Sequence, residues 1–426
     1  MKTLRAELEQ TERQRSVKRG SLMRVIVPLA VALPFVAHGI GVRLPNQDPE
    51  AVARGNAFVA TADNPAAIYY NPAGITQLEG QNLSFGVQNY LGINTHFVAT
   101  NGASANTKFE VVPTPEIYYT LAPKDCPLSF GLGVYAPFGL AVSWPETTPF
   151  RSLAIEGRLT YLAINPVVAW KVHRTLSIAV GPTFNYSNLE VSRGLAMNIF
   201  GPPDVFKFHG DDFSLGLNAG LLWQPNEQWS VGANYRSAAT SDFEGTSSYN
   251  SVPINSSTHT KASVPFPEIV SAGVSYRPTS KWNFEFDVDY TDWNTLNTVT
   301  FEGTHNLGFP TDLALQLDWR GSWLYEFGVT RYLDNGWFVS AGYFYSGETT
   351  PTKTFTPAVP DTELHVGSLG FGHKGERWRW AVAAQIIAGP ARNVSGSQPN
   401  PFSGESADGS YQLFVPTVSV SVGYRF

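Results

Sequence analysis

The chain of 426 residues is 13% aromatic and only 15% charged, and its formal net charge is −6 at pH 7. An acidic chain does not attract phosphate backbones, so we expect no nucleic-acid partner. Cys126 is the single cysteine, which excludes an intramolecular disulfide. The 38 glycines and 30 prolines favour β-structure with many turns.

Residues 1–39 are predicted to be an N-terminal extension followed by a secretory signal. Basic residues precede an apolar run, 25–37, and small residues follow it before Ile40. This order is typical of a signal peptide that is cleaved before Ile40, with Met1 and Met23 as alternative starts. The run contains two prolines and is too short to span about 30 Å of hydrocarbon, which argues against a membrane anchor.

The next segment, 40–81, is apolar but matches no regular strand. It contains two Asn-Pro-Ala triplets, formed by Asn64, Pro65 and Ala66 and by Asn71, Pro72 and Ala73. Each proline removes a backbone donor and interrupts a helix or a central strand, while asparagine stabilises turns. We therefore predict a compact hatch that packs inside a wide barrel and closes it.

Residues 82–426 are predicted to form an antiparallel transmembrane β-barrel. Along 414–426 the even positions are apolar and most odd positions are small or polar, and 176–186 and 282–290 alternate in the same way. Period two with one apolar face is the signal of a strand. We expect lipid against the apolar face and a water-filled lumen on the other, with Glu285, Asp287 and Asp289 pointing into the water.

Short and long connections alternate along this region. The short turns lie at 123–127, 173–174, 225–228, 278–281, 333–336 and 373–376. The long segments lie near 99–109, 145–157, 194–206, 244–260, 302–315, 347–361 and 389–409. This pattern predicts fourteen strands, with a periplasmic aromatic belt at Trp229, Trp282, Trp337 and Trp378. A β-propeller is the alternative, but four strands do not fit between successive tryptophans of this set.

Several fragments, in order along the chain, resemble the FadL-type transporters of long-chain fatty acids. They are "GVRLPNQDPEAVARGNAFVATADNPAAIYYNPAGITQL", "VVPTPEIYYTLAP", "GLGVYAPFGLAVSW", "FPEIVSAG", "DYTDWNTL" and the final "YRF". The second Asn-Pro-Ala triplet falls on the hatch motif of that family. The resemblance implies a fourteen-stranded barrel with an N-terminal hatch in the bacterial outer membrane and passive uptake of hydrophobic compounds.

The third strand is interrupted by Pro137, Phe138 and Gly139. Proline removes a ladder hydrogen bond and glycine permits a bend, so the residues alone are also compatible with an ordinary bulge. The resemblance implies an inward kink that opens a lateral gap in the barrel wall.

Arg193 and Arg320 are the candidate ligand-binding cations. Strand alternation places both side chains inward near the outer end of the barrel, and the resemblance implies that they bind the substrate carboxylate. The alternative is that they neutralise lumen carboxylates such as Glu326. The loops at 194–206 and 244–260 are expected to form a capture groove, with an apolar landing site at Leu195, Met197, Ile199 and Phe200. Packing between loops is the other interpretation.

The eight histidines show no metal-ligand spacing, and neither GxSxG nor HExxH occurs. We therefore expect no catalytic residues, no metal and no cofactor. The expected partners are a long-chain fatty acid or another hydrophobic small molecule, outer-membrane lipid and lipopolysaccharide, and the barrel assembly machinery through the C-terminal strand ending at Phe426. Uncharged aromatic hydrocarbons are the alternative cargo. A general diffusion porin or a structural barrel would not need a hatch.

Overall fold

A computed structural model describes residues 40–195, 204–251 and 254–426. Within these ranges the chain is a closed antiparallel barrel of fourteen strands, which confirms the predicted fold class. The predicted landing-site residues Met197, Ile199 and Phe200 lie outside the described residues. No helix in the described part of the chain is long and apolar enough to cross a membrane.

The chain forms twenty-two strand segments in those ranges, and twenty of them belong to the sheet of the barrel. In chain order the strands are β1 (Gly80–Leu91), β2 (Asn94–Ala99), β3 (Ser104–Asn106), β4 (Val111–Ala122), β5 (Leu128–Tyr135), β6 (Gly139–Ser143), β7 (Glu156–His173), β8 (Leu176–Gly194), β9 (Val205–Trp223), β10 (Trp229–Arg236), β11 (Ala239–Ser251), β12 (Ile254–Phe266), β13 (Ile269–Thr279), β14 (Trp282–Thr291), β15 (Thr298–Phe301), β16 (Leu313–Gln316), β17 (Ser322–Tyr332), β18 (Trp337–Ser346), β19 (Leu364–Lys374), β20 (Trp378–Ala388), β21 (Arg392–Val394) and β22 (Gly409–Arg425).

Interrupted strands account for the difference between these segments and the fourteen barrel strands. β1 and β2 both pair with β22, β5 and β6 both pair with β7, and β10 and β11 both pair with β9. The eighth barrel strand is β12 followed by β13. β15 and β16 form a separate hairpin above the wall strands. Pairing of β1 with β22 closes the barrel, from Asn82↔Arg425 to Tyr90↔Thr417.

The predicted alternation is confirmed along the barrel wall. In β8, Ile178, Val180 and Phe184 are exposed on the outer face, whereas Ser177 and Asn185 are buried inside. The tryptophans beside the short turns are exposed on the outer face, as an aromatic belt requires: Trp229, Trp282, Trp337 and Trp378.

The loop predicted at 244–260 is wrong, because most of that segment is strand. β11 and β12 pair in register from Ala239↔Phe266 to Ser251↔Ile254, and β11 also pairs with β9. The segment is rich in serine and threonine, which indicated a loop, but β11 is paired on both sides, with β9 and with β12. Paired strands therefore continue where a polar loop was expected.

Residues 40–79, here called the N-terminal segment, precede the first strand. They contain short α-helices at Pro49–Val52 and Ala67–Tyr70 and a 3-10 helix at Pro72–Gln77. Further 3-10 turns occur at Trp293–Thr295, Thr304–Leu307, Asp334–Gly336 and Thr352–Thr354. Nearly all of the segment is buried against inward-facing residues of the barrel strands. β1 begins at Gly80, two residues before the predicted domain boundary at 82.

The interior also contains a group of packed rings, here called the interior aromatic cluster. Phe138 lies at the centre, with ring centroids 5.2 Å from Tyr161, 5.0 Å from Phe266 and 5.9 Å from Trp293. Trp319 packs 4.9 Å from Trp293, and Phe206 belongs to the same buried core. This cluster gives the inside of the barrel an apolar, aromatic surface.

Candidate functional site

The two Asn-Pro-Ala triplets use the same local chemistry. The side-chain oxygen of Asn64 accepts from Ala66 N at 2.8 Å, and that of Asn71 accepts from Ala73 N at 3.2 Å. Pro72 then begins the 3-10 helix with a ring where no backbone donor is needed. Each triplet therefore forms a tight turn, as the sequence predicted, and a short helix follows it, which the sequence did not predict.

Asn71 also attaches the N-terminal segment to the barrel wall. Its side-chain amide donates to Val59 O at 2.8 Å within the segment and to Leu221 O at 2.9 Å on β9. A Cβ atom at Gly220 would lie 2.3 Å from the Asn71 side-chain oxygen. Glycine at that wall position is what allows the segment to approach β9 so closely.

The inward carboxylates of β14 do not point into water, and that expectation is wrong. Glu285, Asp287 and Asp289 are each at most 5% exposed, because the N-terminal segment covers them. One oxygen of Asp287 accepts from Phe58 N and Val59 N, both at 2.7 Å. The carboxylates therefore satisfy backbone donors of an irregular segment that has no strand partner of its own.

Glu285 carries the largest share of this attachment. One of its oxygens accepts from Ala60 N at 2.7 Å and Thr61 N at 3.0 Å. Its other oxygen pairs with Arg54 at 2.7 Å, and both side chains of the pair are almost fully buried. Arg43 forms a second buried ion pair with Asp289. Charge-assisted bonds of this kind are about twice as strong as neutral ones.

Other ion pairs hold the segment to residues of β13, β19 and β20. Glu50 pairs with Arg379 and, at 2.9 Å, with Lys374. Asp63 pairs with Arg277 at 3.4 Å and Lys374 at 3.5 Å. Burial alone would raise the pKa of Asp63, but Lys374 and Arg277 outweigh it and hold that pKa below its ordinary value. The segment is thus anchored by charge on two sides.

Asp48 behaves differently from Asp63. It caps the helix Pro49–Val52 by accepting from Glu50 N, and it accepts from the Asn64 amide at 2.9 Å. Burial, together with the nearby charge of Glu50, raises the pKa of Asp48 to about 6. This carboxyl group therefore titrates close to neutral pH.

The interruption of the third strand leaves part of the barrel wall unpaired within the described strands. β4 pairs with β5 from Ile117↔Val134 to Leu121↔Phe130, but within these described strands no residue of β4 pairs with β6. A hydrogen bond from Lys108 N to Ser143 O, 2.7 Å long, bridges the two sides further along the strands. The stretch between these two contacts is here called the lateral gap.

The N-terminal segment takes the place of β4 beside the kink. Leu44 N donates to Pro137 O at 2.8 Å, Gly139 N donates to Val42 O at 2.9 Å, and Arg43 and Phe138 form an antiparallel bridge. A Cβ atom at position 139 would lie 2.7 Å from a methyl group of Leu44, so the close approach favours glycine. The backbone of the kink is therefore satisfied by the segment and not by the neighbouring strand.

Two prolines lie on β4 along the lateral gap. β4 keeps its register with β1 through Pro113↔Asn89 and Pro115↔Val87. Because that ladder continues through both prolines, the donors they lack are those of the opposite edge, which faces the gap. Prolines on an exposed edge prevent strand pairing. The edge of β4 that faces the gap therefore has few backbone N–H donors with which a neighbouring strand could pair.

A cavity of about 490 Å³ lies behind the lateral gap. Its lining is mostly apolar and comes from the N-terminal segment, both edges of the gap and the opposite wall: Leu44, Val112, Pro113, Phe138, Leu140, Leu159, Tyr161, Leu364, Ile387, Leu413 and Val415. The volume falls within the range of about 300–1,000 Å³ that small-molecule sites occupy.

The charged side chains that line this cavity already have partners. Arg43 pairs with Asp289, and Arg158 pairs with Glu110 at 2.6 Å. Asp361 accepts from two backbone N–H groups of the loop after β18, at 2.6 and 2.9 Å. Burial raises the pKa of Asp361 to about 6. The cavity therefore presents hydrocarbon surface more than charge.

The structure separates the two predicted cations. Arg193 is half-buried on the inward side of β8, with its guanidinium carbon 5.8 Å from the ring centroid of Phe206. Leu195 packs against the same buried core. Arg193 and Leu195 therefore lie beside the buried core that contains Phe206, and the inward side of Arg193 agrees with the alternation of β8.

Arg320 is exposed, and its predicted inward orientation is wrong. The strand begins only at Ser322, and Asp318 has a left-handed backbone with φ of 48°, so the alternation does not extend back to position 320. Trp319 is the residue that points inward there. Glu326 is buried and lines a small void together with Arg43 and Asp289. Within the described ranges it forms no ion pair with either Arg193 or Arg320.

Sequence reasoning missed Arg236. Counting from the outward Trp229, even positions of β10 point inward, which would have placed Asn234 and Arg236 in the lumen. Counting by two along β4 in the same way would have shown that Pro113 and Pro115 lack their N–H donors on the same edge of that strand. In the described part of the chain, no three His, Cys, Asp or Glu side chains are grouped to hold a metal ion.

A family profile described as "Outer membrane protein transport protein (OMPP1/FadL/TodX)" matches residues 33–397. The chain is 20% identical over 356 residues to the long-chain fatty acid transport protein of Escherichia coli strain K12, covering 73% of this chain and 79% of that protein. It is 23% identical over 403 residues to the 47 kDa outer membrane protein of Pasteurella multocida strain Pm70, covering 86% and 89%.

Solved structures share the fold. A FadL homologue of Pseudomonas aeruginosa has a TM-score of 0.80 at 16% identity, covering 91% of this chain and 100% of that chain. The toluene transporter TodX of Pseudomonas putida has a TM-score of 0.67 at 15% identity, covering 92% and 99%. The matches place the protein in the outer membrane, among transporters of hydrophobic compounds. The chain belongs to the outer membrane protein transport family, OMPP1/FadL/TodX.

Proposed function

We propose that the protein takes up long-chain fatty acids or similar hydrophobic molecules passively across the outer membrane. The observation that carries this proposal is the apolar cavity of about 490 Å³ that lies directly behind the lateral gap. A molecule in that cavity has the lipid phase on one side and the interior aromatic cluster on the other. Its relatives in the family include long-chain fatty acid transport proteins.

The hydrophobic effect supplies the affinity. Burying an acyl chain gains about 0.8 kcal/mol per CH₂, so a dozen methylene groups contribute roughly 10 kcal/mol before the cost of association. A charge-assisted hydrogen bond to the head group adds about 1.5–3 kcal/mol. The tail thus determines how tightly cargo binds, and the head group determines which cargo is preferred.

We infer the steps of transport from the interpretation of these residues. Cargo binds first at the outer end, at Arg193 and Leu195, and the predicted landing site extends in sequence to Met197, Ile199 and Phe200, which lie outside the described residues. The N-terminal segment, with both Asn-Pro-Ala triplets, acts as the hatch that keeps the lumen closed. Cargo then leaves sideways through the gap beside Pro137, Phe138 and Gly139. Downhill partition into lipid drives this step without an energy source.

Uncharged aromatic hydrocarbons are the second candidate cargo. The supporting observation is that Arg43, Arg158 and Asp361, the charged residues of the cavity lining, already have protein partners. A neutral ligand needs no counter-ion there. Toluene transporters share the fold of this chain.

Uptake by proteoliposomes tests the proposal directly. Vesicles that contain the protein should accumulate labelled oleate faster than empty vesicles, with toluene measured in parallel. Leu140→Trp fills the cavity and should lower the rate at least about tenfold, which corresponds to about 1.4 kcal/mol. Leu369→Trp adds the same ring on the outer face, where Leu369 is 67% exposed, and serves as the control. Equal rates with and without protein, for both compounds, would refute the proposal.

A further inference from the structure

Arg236 is a buried cation beside the kink. It is the last residue of β10 and is 6% exposed. Its guanidinium donates to the Tyr135 hydroxyl at 2.7 Å and to Tyr69 O at 3.2 Å. Its guanidinium carbon lies 4.8 Å from the ring centroid of Tyr69 and 5.2 Å from that of Tyr135. An arginine has five N–H donors. Three of them therefore have no acceptor among the described residues.

The other buried arginines differ from Arg236 in their partners. In the described ranges four arginine side chains are less than a tenth exposed. Arg43 pairs with Asp289, Arg54 with Glu285, and Arg392 with Glu348 at 3.3 Å. Arg236 alone of these four pairs with no carboxylate. Burying a charge without a counter-ion is expensive, so this position is expected to have an anionic partner that is not part of the protein.

Two small voids lie beside Arg236, and their linings are chemically different. The void toward the N-terminal segment is also lined by Arg43, Asp289 and Glu326. Two acidic groups there disfavour an anion. The void toward the kink is lined by Phe138, Tyr161, Thr183, Asn185 and other residues without a carboxylate. The kink side is therefore the side on which an anion would meet Arg236 without repulsion.

The void on the kink side adjoins the cavity behind the lateral gap. Phe138 and Tyr161 line both spaces, so their rings form the wall between them. The void measures about 10 Å³, close to the roughly 10–15 Å³ that one water needs. A carboxylate thus reaches the guanidinium when the Phe138 ring moves aside, with its apolar tail lying in the cavity.

We propose that Arg236 is the carboxylate-binding residue of an inner subsite, where the head group of a fatty acid binds while its tail lies behind the lateral gap. This inference rests on the proposed function and adds the substrate class to it. Tyr135 is a positioning residue, since its hydroxyl accepts from Arg236 and donates to the Asn165 side chain at 2.8 Å. A bidentate carboxylate uses two of the three remaining donors.

The test compares an acid with its ester. Oleate and methyl oleate have almost the same tail, but only oleate carries an anion at neutral pH. In wild type, oleate should bind more tightly. Arg236→Gln should weaken oleate binding by about ten- to a hundredfold, which is the range expected for one charge-assisted bond, and leave the ester within about twofold. Arg236→Lys keeps the charge and should restore most of the preference for oleate.

A purely structural role would give a different pattern. If Arg236 only joins Tyr69 to Tyr135, Arg236→Gln and Arg236→Lys should lower thermal stability and weaken both ligands alike. Should Arg236→Gln not fold, Tyr135→Phe removes the positioning hydroxyl and keeps the ring, and it should reduce the preference for oleate over ester. An unchanged acid-to-ester ratio in these variants refutes the inner subsite alone. Wild-type protein that binds neither ligand refutes the proposed function as well.

Discussion

Replacing Glu285 by glutamine should release the N-terminal segment from the barrel wall. The carboxylate accepts from Ala60 N and Thr61 N and pairs with Arg54, and the two charged side chains are 0% and 3% exposed. Glutamine keeps an oxygen for the backbone donors but leaves Arg54 without its counter-ion. Removing one partner of a buried pair costs about 3–5 kcal/mol, and we expect the lower end because those hydrogen bonds survive.

A loss of about 3 kcal/mol corresponds to roughly a hundredfold larger population of the displaced segment. Hydrogen exchange should show this first, as faster exchange at the amides of residues 58–61. Planar bilayers should show it as ion conductance that wild type lacks, because the lumen is then open. Glu244→Gln is the matched control, since Glu244 pairs with Lys261 on an exposed hairpin far from the segment.

The reasoning would be refuted by a Glu285→Gln protein with unchanged conductance and unchanged protection at 58–61. A uniform loss of protection across the barrel strands would also contradict it, because the carboxylate would then stabilise the wall and not the docking of the segment. Faster exchange confined to the segment is the outcome that supports it.

Three further perturbations test other parts of the site. Pro113→Val with Pro115→Val restores two donors on the edge of β4, so the gap should narrow and oleate uptake should fall at least several-fold while binding persists. Arg193→Met should weaken oleate by about tenfold but not its ester, whereas Arg320→Met, at an exposed position, should change neither. The raised pKa of Asp48, about 6, means that the packed segment binds this proton more tightly than the unfolded chain does. Segment stability should therefore fall as pH rises from about 4 to about 6, and Asp48→Asn should reduce that dependence in hydrogen exchange.

The barrel could be predicted from the sequence because one periodicity governs it. Lipid requires an apolar outer face, so the alternation at 176–186 and 414–426 shows, for each residue, whether its side chain points outward to lipid or inward to the lumen. That signal ends where strands end. Arg320 shows this limit, since it lies two residues before β17 begins at Ser322. The hairpin of β11 and β12 shows another, because serine and threonine suit paired strands as well as loops.

The partners of lumen side chains could not be predicted in the same way. Glu285 and Asp287 were assigned to the correct face, but a period of two does not indicate what lies against that face. The contact partners come from residues more than 220 positions earlier in the chain. Arg236 was overlooked for a related reason. An inward arginine is common in a barrel, and it stands out only when the structure shows that no carboxylate pairs with it.

The same N-terminal residues hold both the segment and the kink, which links the hatch to the lateral gap. Val42 and Leu44 bond to the backbone of Gly139 and Pro137, and the guanidinium of Arg43, between them, pairs with Asp289 on the opposite wall. Any movement of the segment that breaks the Arg43–Asp289 pair therefore also strains the bonds that keep Phe138 turned inward. Phe138 forms part of the wall between Arg236 and the cavity. Under the proposed mechanism, we therefore expect displacement of the segment and opening of a route from the lumen to the gap to be two results of one motion, so that a hatch that moves admits cargo and clears its exit together.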